Sequence, residues 1–264
     1  MKKFISIASM IALLIIMVAL AGCSNTNSQN NVVEPAEKAF VGKTLNLFVA
    51  AGLQKPVEQI IESFKEETGA EVSANYASSG SLYAQIDQGQ PCDLYYSADW
   101  MYIDKLDQSG KLEEGQKFLK DNIVLIASET GQNKISKIGD LANPGVSLVI
   151  ADPQAPAGVY AKNSLVNLGL WDKVSSNIKA MPSTVNQVLI MVKEDQVDAG
   201  LVYSSVANGN GLQPVEVIDE KYSGEIIFGS AIINGKQTDL SQAFIEHASK
   251  NINFFEQYGW KAYE

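Results

Sequence analysis

The sequence predicts an α/β protein of two lobes joined by a hinge. Three observations carry that expectation. Short apolar runs alternate with helical periods from residue 44 onward, the alternation restarts near residue 122, and no linker rich in Pro, Gly or Ser separates the halves.

Thr44–Ala50 (TLNLFVA) is a short apolar run that suits a buried strand. Pro56–Thr68 sets Val57, Ile60, Ile61 and Phe64 on one helical face, and Gly69 ends that helix. Glu71–Tyr76 reads as a second strand, Gly80–Asp87 as a helix leaving a serine-rich turn, and Asp93–Ser97 as a third strand. A β-α-β-α-β order of this kind requires a parallel sheet. The second half repeats the theme with strands at Asn122–Ala127 and Ser147–Ala151 and a helix from about Val159 to Leu168. A helix at Asn186–Glu194, strands at Ala199–Tyr203 and Glu225–Ile233, and a long helix from Ser241 to about Tyr258 complete the pattern. The predicted lobes are 43–123 with 228–264, and 124–227. In open α/β sheets ligands sit outside the carboxyl ends of the strands, so the turns there are where binding is sought.

The amino terminus lies outside this pattern. Lys2 and Lys3 precede an uncharged apolar run from Phe4 to Gly22, long enough to cross a bilayer. Leu20-Ala21-Gly22-Cys23 then resembles the bacterial lipobox, which implies cleavage before Cys23 and lipidation of that cysteine. Residues 1–22 are thus expected to be an export signal and 23–41 a polar tether, placing the protein outside the cytoplasm on a membrane anchor. Cys92 is then the one thiol left, and is read as a small buried side chain. One histidine, His247, and one thiol leave little for a metal site, so no metal and no cofactor are expected. The formal charge of −10, without a basic cluster, disfavours nucleic acid. An anion remains compatible, because peptide N–H groups at helix starts act over a short range.

Four strand-to-helix turns are rich in small neutral residues: Ala50-Ala51-Gly52-Leu53, Ala77-Ser78-Ser79-Gly80-Ser81, Pro156-Ala157-Gly158 and Pro182-Ser183-Thr184-Val185. Any one of them serves as an ordinary helix cap. Together they offer convergent uncharged donors, each bond to a charged partner contributing about 1.5–3 kcal/mol. Asp93 and Asp99 would repel an anion and are read as structural, Asp99 as a cap. Trp100, Trp171 and Trp260 show no stacking pattern and are read as packing residues.

The stretches FVAAGL, YASSGSLYAQI, PCDLYYSAD, ADPQAPAGVYAK and DAGLVYSS, in this order, resemble the molybdate-binding proteins of ABC transporters from about Lys43 to Tyr258. The resemblance implies a type II periplasmic-binding-protein fold, two α/β lobes closing on the ligand. It also implies oxyanion donors at Ser79, the Ala157 and Val185 N–H groups, and the Tyr203 hydroxyl. The remaining family donor is a serine at the end of the first strand, where this chain has Gly52 and so offers only an N–H. Ser78 and Ser81 are further candidates to replace it. Without the resemblance, Tyr203 reads as a core aromatic closing an apolar strand. The implied partners are molybdate or tungstate and a membrane permease with its ATPase, with the chain acting as a monomer; sulfate or phosphate is the alternative ligand. An enzyme is disfavoured: Ser78, Ser79 and Ser81 have His247 as the sole candidate base, on a distant helix where a surface position accounts for it. Asn208-Gly209-Asn210-Gly211 reads as a turn.

Overall fold

β1 (Thr44–Ala50) runs between two parallel neighbours, because helices of sufficient length separate it from each. The computed structural model describes residues 38–235 and 237–264. The expected signal segment, the Cys23 lipidation site and most of the tether lie outside the described residues. The described chain joins the first lobe at Phe40, whose N–H donates to the Thr68 carbonyl at 2.9 Å.

Helix α1 (Gln54–Thr68) buries Pro56, Val57, Ile60 and Phe64 and stops at Gly69, which adopts φ 75°. Ile61, predicted on the same face, is half-buried. β2 (Glu71–Ala77), α2 (Ser79–Asp87) and β3 (Leu94–Ser97) follow, so that β2, β1 and β3 form the predicted parallel unit. The Asp93 carboxylate fastens it by accepting from the Asn46 N–H at 2.7 Å and from the Asn46 side-chain amide at 2.9 Å. Cys92 is buried, as read.

After α3 (Met101–Gln108) comes β4 (Leu112–Asp121), a ten-residue strand that the sequence does not announce. Its first half is charged and exposed, and only Phe118, Leu119 and Asp121 reach the interior. Past Asn122 the chain enters a second sheet as β5 (Ile123–Ala127). There follow β6 (Leu148–Val149), α4 (Pro156–Asn167), β7 (Ile178–Ala180), α5 (Val185–Lys193), β8 (Ala199–Tyr203) and β9 (Glu216–Val217). The order of this sheet is β7-β6-β8-β5-β9, with β6 parallel to β7 and β8, and β5 antiparallel to β8 and β9. α4 begins three residues earlier than predicted, since Pro156 takes the first helical position, where its missing N–H costs nothing.

The chain returns as β10 (Ile226–Ile233), inserted antiparallel between β3 and β4, and continues into α6 (Thr238–Lys250) and β11 (Lys261–Ala262). The first sheet therefore reads β11-β4-β10-β3-β1-β2. Two connections pass between the sheets, one at Asn122 and one between β9 and β10. The predicted single helix from Ser241 to Tyr258 is broken: Asn251 turns its amide to the His247 carbonyl at 2.9 Å, and a separate turn, Asn253–Glu256, follows.

His247, expected at the surface, is 7 % exposed. Its Nε2 lies 2.8 Å from Ser63 Oγ and its Nδ1 3.1 Å from the Glu67 carboxylate, while its ring meets Phe64 edge-on. The histidine thus ties α6 to α1. Trp260 packs edge-on against Phe228, Phe255 and Tyr258, in keeping with a packing role.

Candidate functional site

The carboxyl ends of β1, β2 and β3 face the turns of the second sheet across a small cavity of ≈ 20 Å³. That volume has room for about one water molecule. The first lobe contributes Ala50, Ala51, Gly52, Ser78, Ser79 and Ala98; the second contributes Ala155, Pro156, Ala157, Thr184, Val185 and Tyr203. Gly52, Ser79, Ala157, Val185 and Tyr203, far apart in the chain, thus stand on one wall system, and Ser78 joins them. Among the described residues, no charged side chain lines it.

Each lining turn leaves N–H groups that its own helix cannot satisfy, because the first turn of a helix has no intrahelical acceptor. Ala157 follows the Pro156 that opens α4, and Val185 is the first residue of α5. Thr184 and Gln187 close a capping box at α5, in which the Thr184 hydroxyl accepts from Gln187 N–H at 3.3 Å and Thr184 N–H donates to the Gln187 side chain at 3.1 Å. Val185 N–H is thereby held in place without being used in the box. Gly52 sits in the short 3₁₀ turn Ala51–Leu53, which has no side-chain cap.

The hydroxyls differ in their partners. Ser79 Oγ accepts from Ala98 N–H at 2.9 Å and keeps its own hydrogen to donate. The Tyr95 hydroxyl braces this turn by donating to the Ser79 carbonyl at 2.9 Å. Ser78 caps α2, accepting from Ser81 N–H at 3.3 Å, and its hydroxyl lies 2.8 Å from that of Ser81. Ser81, proposed from sequence as a further donor, is exposed and does not reach the cavity. Its position three residues into the turn commits it to the cap. The Tyr203 hydroxyl is buried and meets no hydrogen-bond partner among the described residues. Burial, reinforced by Tyr160 and the nearby carboxylates of Asp99 and Asp121, holds its pKa well above the ordinary phenol range. It is a neutral donor at any physiological pH.

Carboxylates surround the cavity without lining it. Asp99 accepts from Met101 N–H at 2.8 Å, just before the helix that Trp100 caps, and the Tyr160 side chain of the opposite lobe is close enough to influence its charge. Burial raises its pKa against the lowering influence of Met101 N–H and Tyr160. Asp121, at the end of β4, accepts from the Ser204 hydroxyl at 2.7 Å, from the Ser205 hydroxyl, and from Asn122 N–H at 2.7 Å. Burial still pushes its pKa up to about 6.

Contacts that the sequence reading missed join the lobes around the cavity. The Tyr102 hydroxyl donates to the Gln154 carbonyl at 2.9 Å, and the Asn186 amide donates to the Ala51 carbonyl at 2.8 Å. Lys55 reaches the Gly209 carbonyl and Asn210 Oδ1, each at 2.7 Å, beside a larger cavity of ≈ 300 Å³ that shares Ala51 and Gly52 with the smaller one. The asparagine and tyrosines look like ordinary polar residues in sequence; only the opposed turns bring them into contact.

Two sheets with their strand ends opposed across a donor-lined cavity define a bilobed α/β solute-binding fold of the type II periplasmic kind. Residues 45–261 match the bacterial extracellular solute-binding protein family, and the chain belongs to it. It is 31% identical, over 99% of its length and 99% of the relative, to YvgL of Bacillus subtilis (strain 168), whose name describes a candidate ABC transporter substrate-binding lipoprotein. It is 29% identical to the molybdate-binding protein ModA of Escherichia coli (strain K12), over 82% of this chain and 88% of that one. The solved periplasmic molybdate-binding protein of Azotobacter vinelandii superposes with a TM-score of 0.73 at 23% identity, covering 83% of this chain and 100% of that one, which is a likeness of fold. The chain is thus an extracytoplasmic solute-binding component of the ABC-transporter class, related to several molybdate-binding proteins and non-catalytic.

Proposed function

We propose that this protein captures molybdate or tungstate between its lobes, through uncharged donors, and delivers it to an ABC permease. The donors in this reading are Ser79 and Tyr203 through their hydroxyls and Ala157, Val185 and Gly52 through their N–H groups, with Ser78 in support. The observation that carries it is the Tyr203 hydroxyl: a buried donor without a partner costs about 1–3 kcal/mol, and a dianion in the adjoining cavity would satisfy it. The relatives' names support the same ligand class. Near neutral pH molybdate and tungstate carry no proton, which suits a cavity wall made of donors. Hydrogen phosphate brings a proton, and no carboxylate stands on this wall to accept it.

The cavity is too small for a tetrahedral oxyanion as it stands, so in this reading the walls part at the two inter-sheet connections and close again on the anion. The moving bodies are residues 43–123 with 228–264, and 124–227. Cys23 holds the monomeric chain to the membrane through its lipid.

Calorimetric titration of the full chain in detergent against molybdate, tungstate, sulfate and phosphate tests the ligand. Tight binding is expected for the first two and weak or no heat for phosphate. The departure at Gly52, where a hydroxyl donor is lost, favours one second reading, a same-fold protein for sulfate. Sulfate binding as tight as molybdate would select it.

A further inference from the structure

Gly80 is the second residue of α2 and touches the opposite lobe. A Cβ built on it would lie 2.5 Å from the Gln154 carbonyl oxygen and 2.7 Å from the Tyr102 hydroxyl. The two obstacles are unequal. Tyr102 belongs to Gly80's own lobe, and its hydroxyl is the free end of a side chain that can swing once it leaves Gln154. The Gln154 carbonyl is backbone, in the turn between β6 and α4 just before the lining residues Ala155, Pro156 and Ala157. It moves only with its lobe.

From this geometry we infer that Gly80 against Gln154 is the stop to lobe closure, and that the bare glycine keeps this stop tighter than even the smaller oxyanions require, so that a side chain at position 80 would release the smaller anion first. The inference rests on the oxyanion reading for its ligand but not for its mechanics. Ser79, one residue away, supplies a donor hydroxyl, so any change in the approach at position 80 is transmitted directly to the width of the cavity. The hydrogen bond from Tyr102 to Gln154 latches the same contact at 2.9 Å. Glycine inside a helix is otherwise unfavourable, and Gly80 does not have the left-handed backbone that would require it. Its use is the close approach.

The test is Gly80→Ala. Alanine favours the helix, so the melting temperature of the ligand-free protein is expected to hold or rise, an effect opposite in sign to that of a packing defect. In calorimetry the smaller anion should suffer more: the molybdate-to-sulfate affinity ratio is expected to rise at least tenfold over wild type. Tyr102→Phe removes the latch while leaving the stop, and should weaken both anions alike with the ratio unchanged. Crystal structures of wild type and Gly80→Ala should show the two sheets swung further apart in the variant. A folded variant with an unchanged ratio, or one superposing on wild type across both lobes, overturns the stop. If wild type binds none of the anions, the oxyanion reading falls alone, and the pair of crystal structures still decides the stop.

Discussion

Two serine-bearing turns open helices at strand ends, and their hydroxyls have opposite fates. After β2, Ser79 Oγ accepts from Ala98 N–H and retains its hydrogen. After β8, Ser204 and Ser205 donate theirs to the Asp121 carboxylate. Ser79 and Ser205 are equally buried, at 1% exposed. What differs is the polarity of the neighbour. A serine beside a donor remains a donor for a ligand, whereas a serine beside a carboxylate does not. Small neutral residues in a turn therefore mark a binding site only when the group next to them leaves their hydrogens unused.

The sharpest way to break this comparison is to delete the hydroxyls one at a time. Ser79→Ala is expected to weaken molybdate binding by about 1.5–3 kcal/mol, tenfold or more by calorimetry, whereas Ser204→Ala leaves it within about twofold. Equal losses would show that partner polarity does not select the donors. Tyr203→Phe should weaken binding on the same scale yet stabilise the ligand-free protein by on the order of 1 kcal/mol in thermal melts, because an unpartnered buried phenol is removed. A variant that loses affinity and stability together would make Tyr203 a packing residue.

The second turn is tested through its carboxylate. Burial raises the Asp121 pKa to about 6 in the folded chain, so the folded state holds this proton more tightly than the unfolded one. Stability from this group is therefore greatest in mild acid and is lost as pH rises from the unfolded pKa through about 6, a change of roughly 1 kcal/mol between about pH 5 and about pH 7. Asp121→Asn should flatten that portion of the profile in thermal melts. An unchanged slope would mean that Ser204, Ser205 and Asn122 hold the charge without cost.

The parallel core of the first sheet is legible in sequence because β1 and β3 are buried apolar runs separated by helices with clear periods. β4 is not. Glu113, Glu114, Gly115, Gln116 and Lys117 carry no strand signal, and the strand exists because β10 and β11 pair with it. The lining turns are legible from their small residues, and the hydrogen-bonded roles of Asp93 and Asp99 from the charge they would otherwise set beside an anion. Tyr102, Gln154 and Asn186 leave no trace, since a hydrogen bond across two lobes has no period along the chain. His247 misleads for the same reason: its place in the interior depends on Ser63 and Glu67 of another helix.

Position 52 is the finest probe of how the two lobes share the site. A Cβ there would stand 3.5 Å from Val185 Cγ1 and from Val206 Cγ2, and 3.7 Å from Tyr203 Cδ2, ordinary contact distances. Gly52 is not among the residues with positive φ, so a side chain brings no backbone strain. Gly52→Ser is thus expected to fold normally and to leave molybdate affinity unchanged or raise it by up to about tenfold, the worth of one added bond to a charged partner. Gly52→Ala supplies the methylene without the hydroxyl and should stay within about twofold of wild type. If both variants lose affinity alike, Val185 and Val206 already fill the space at Gly52, and the first lobe meets the anion through the Ser78-Ser79 turn alone. If serine gains where alanine does not, the missing family hydroxyl is a donor that this chain's site can still use.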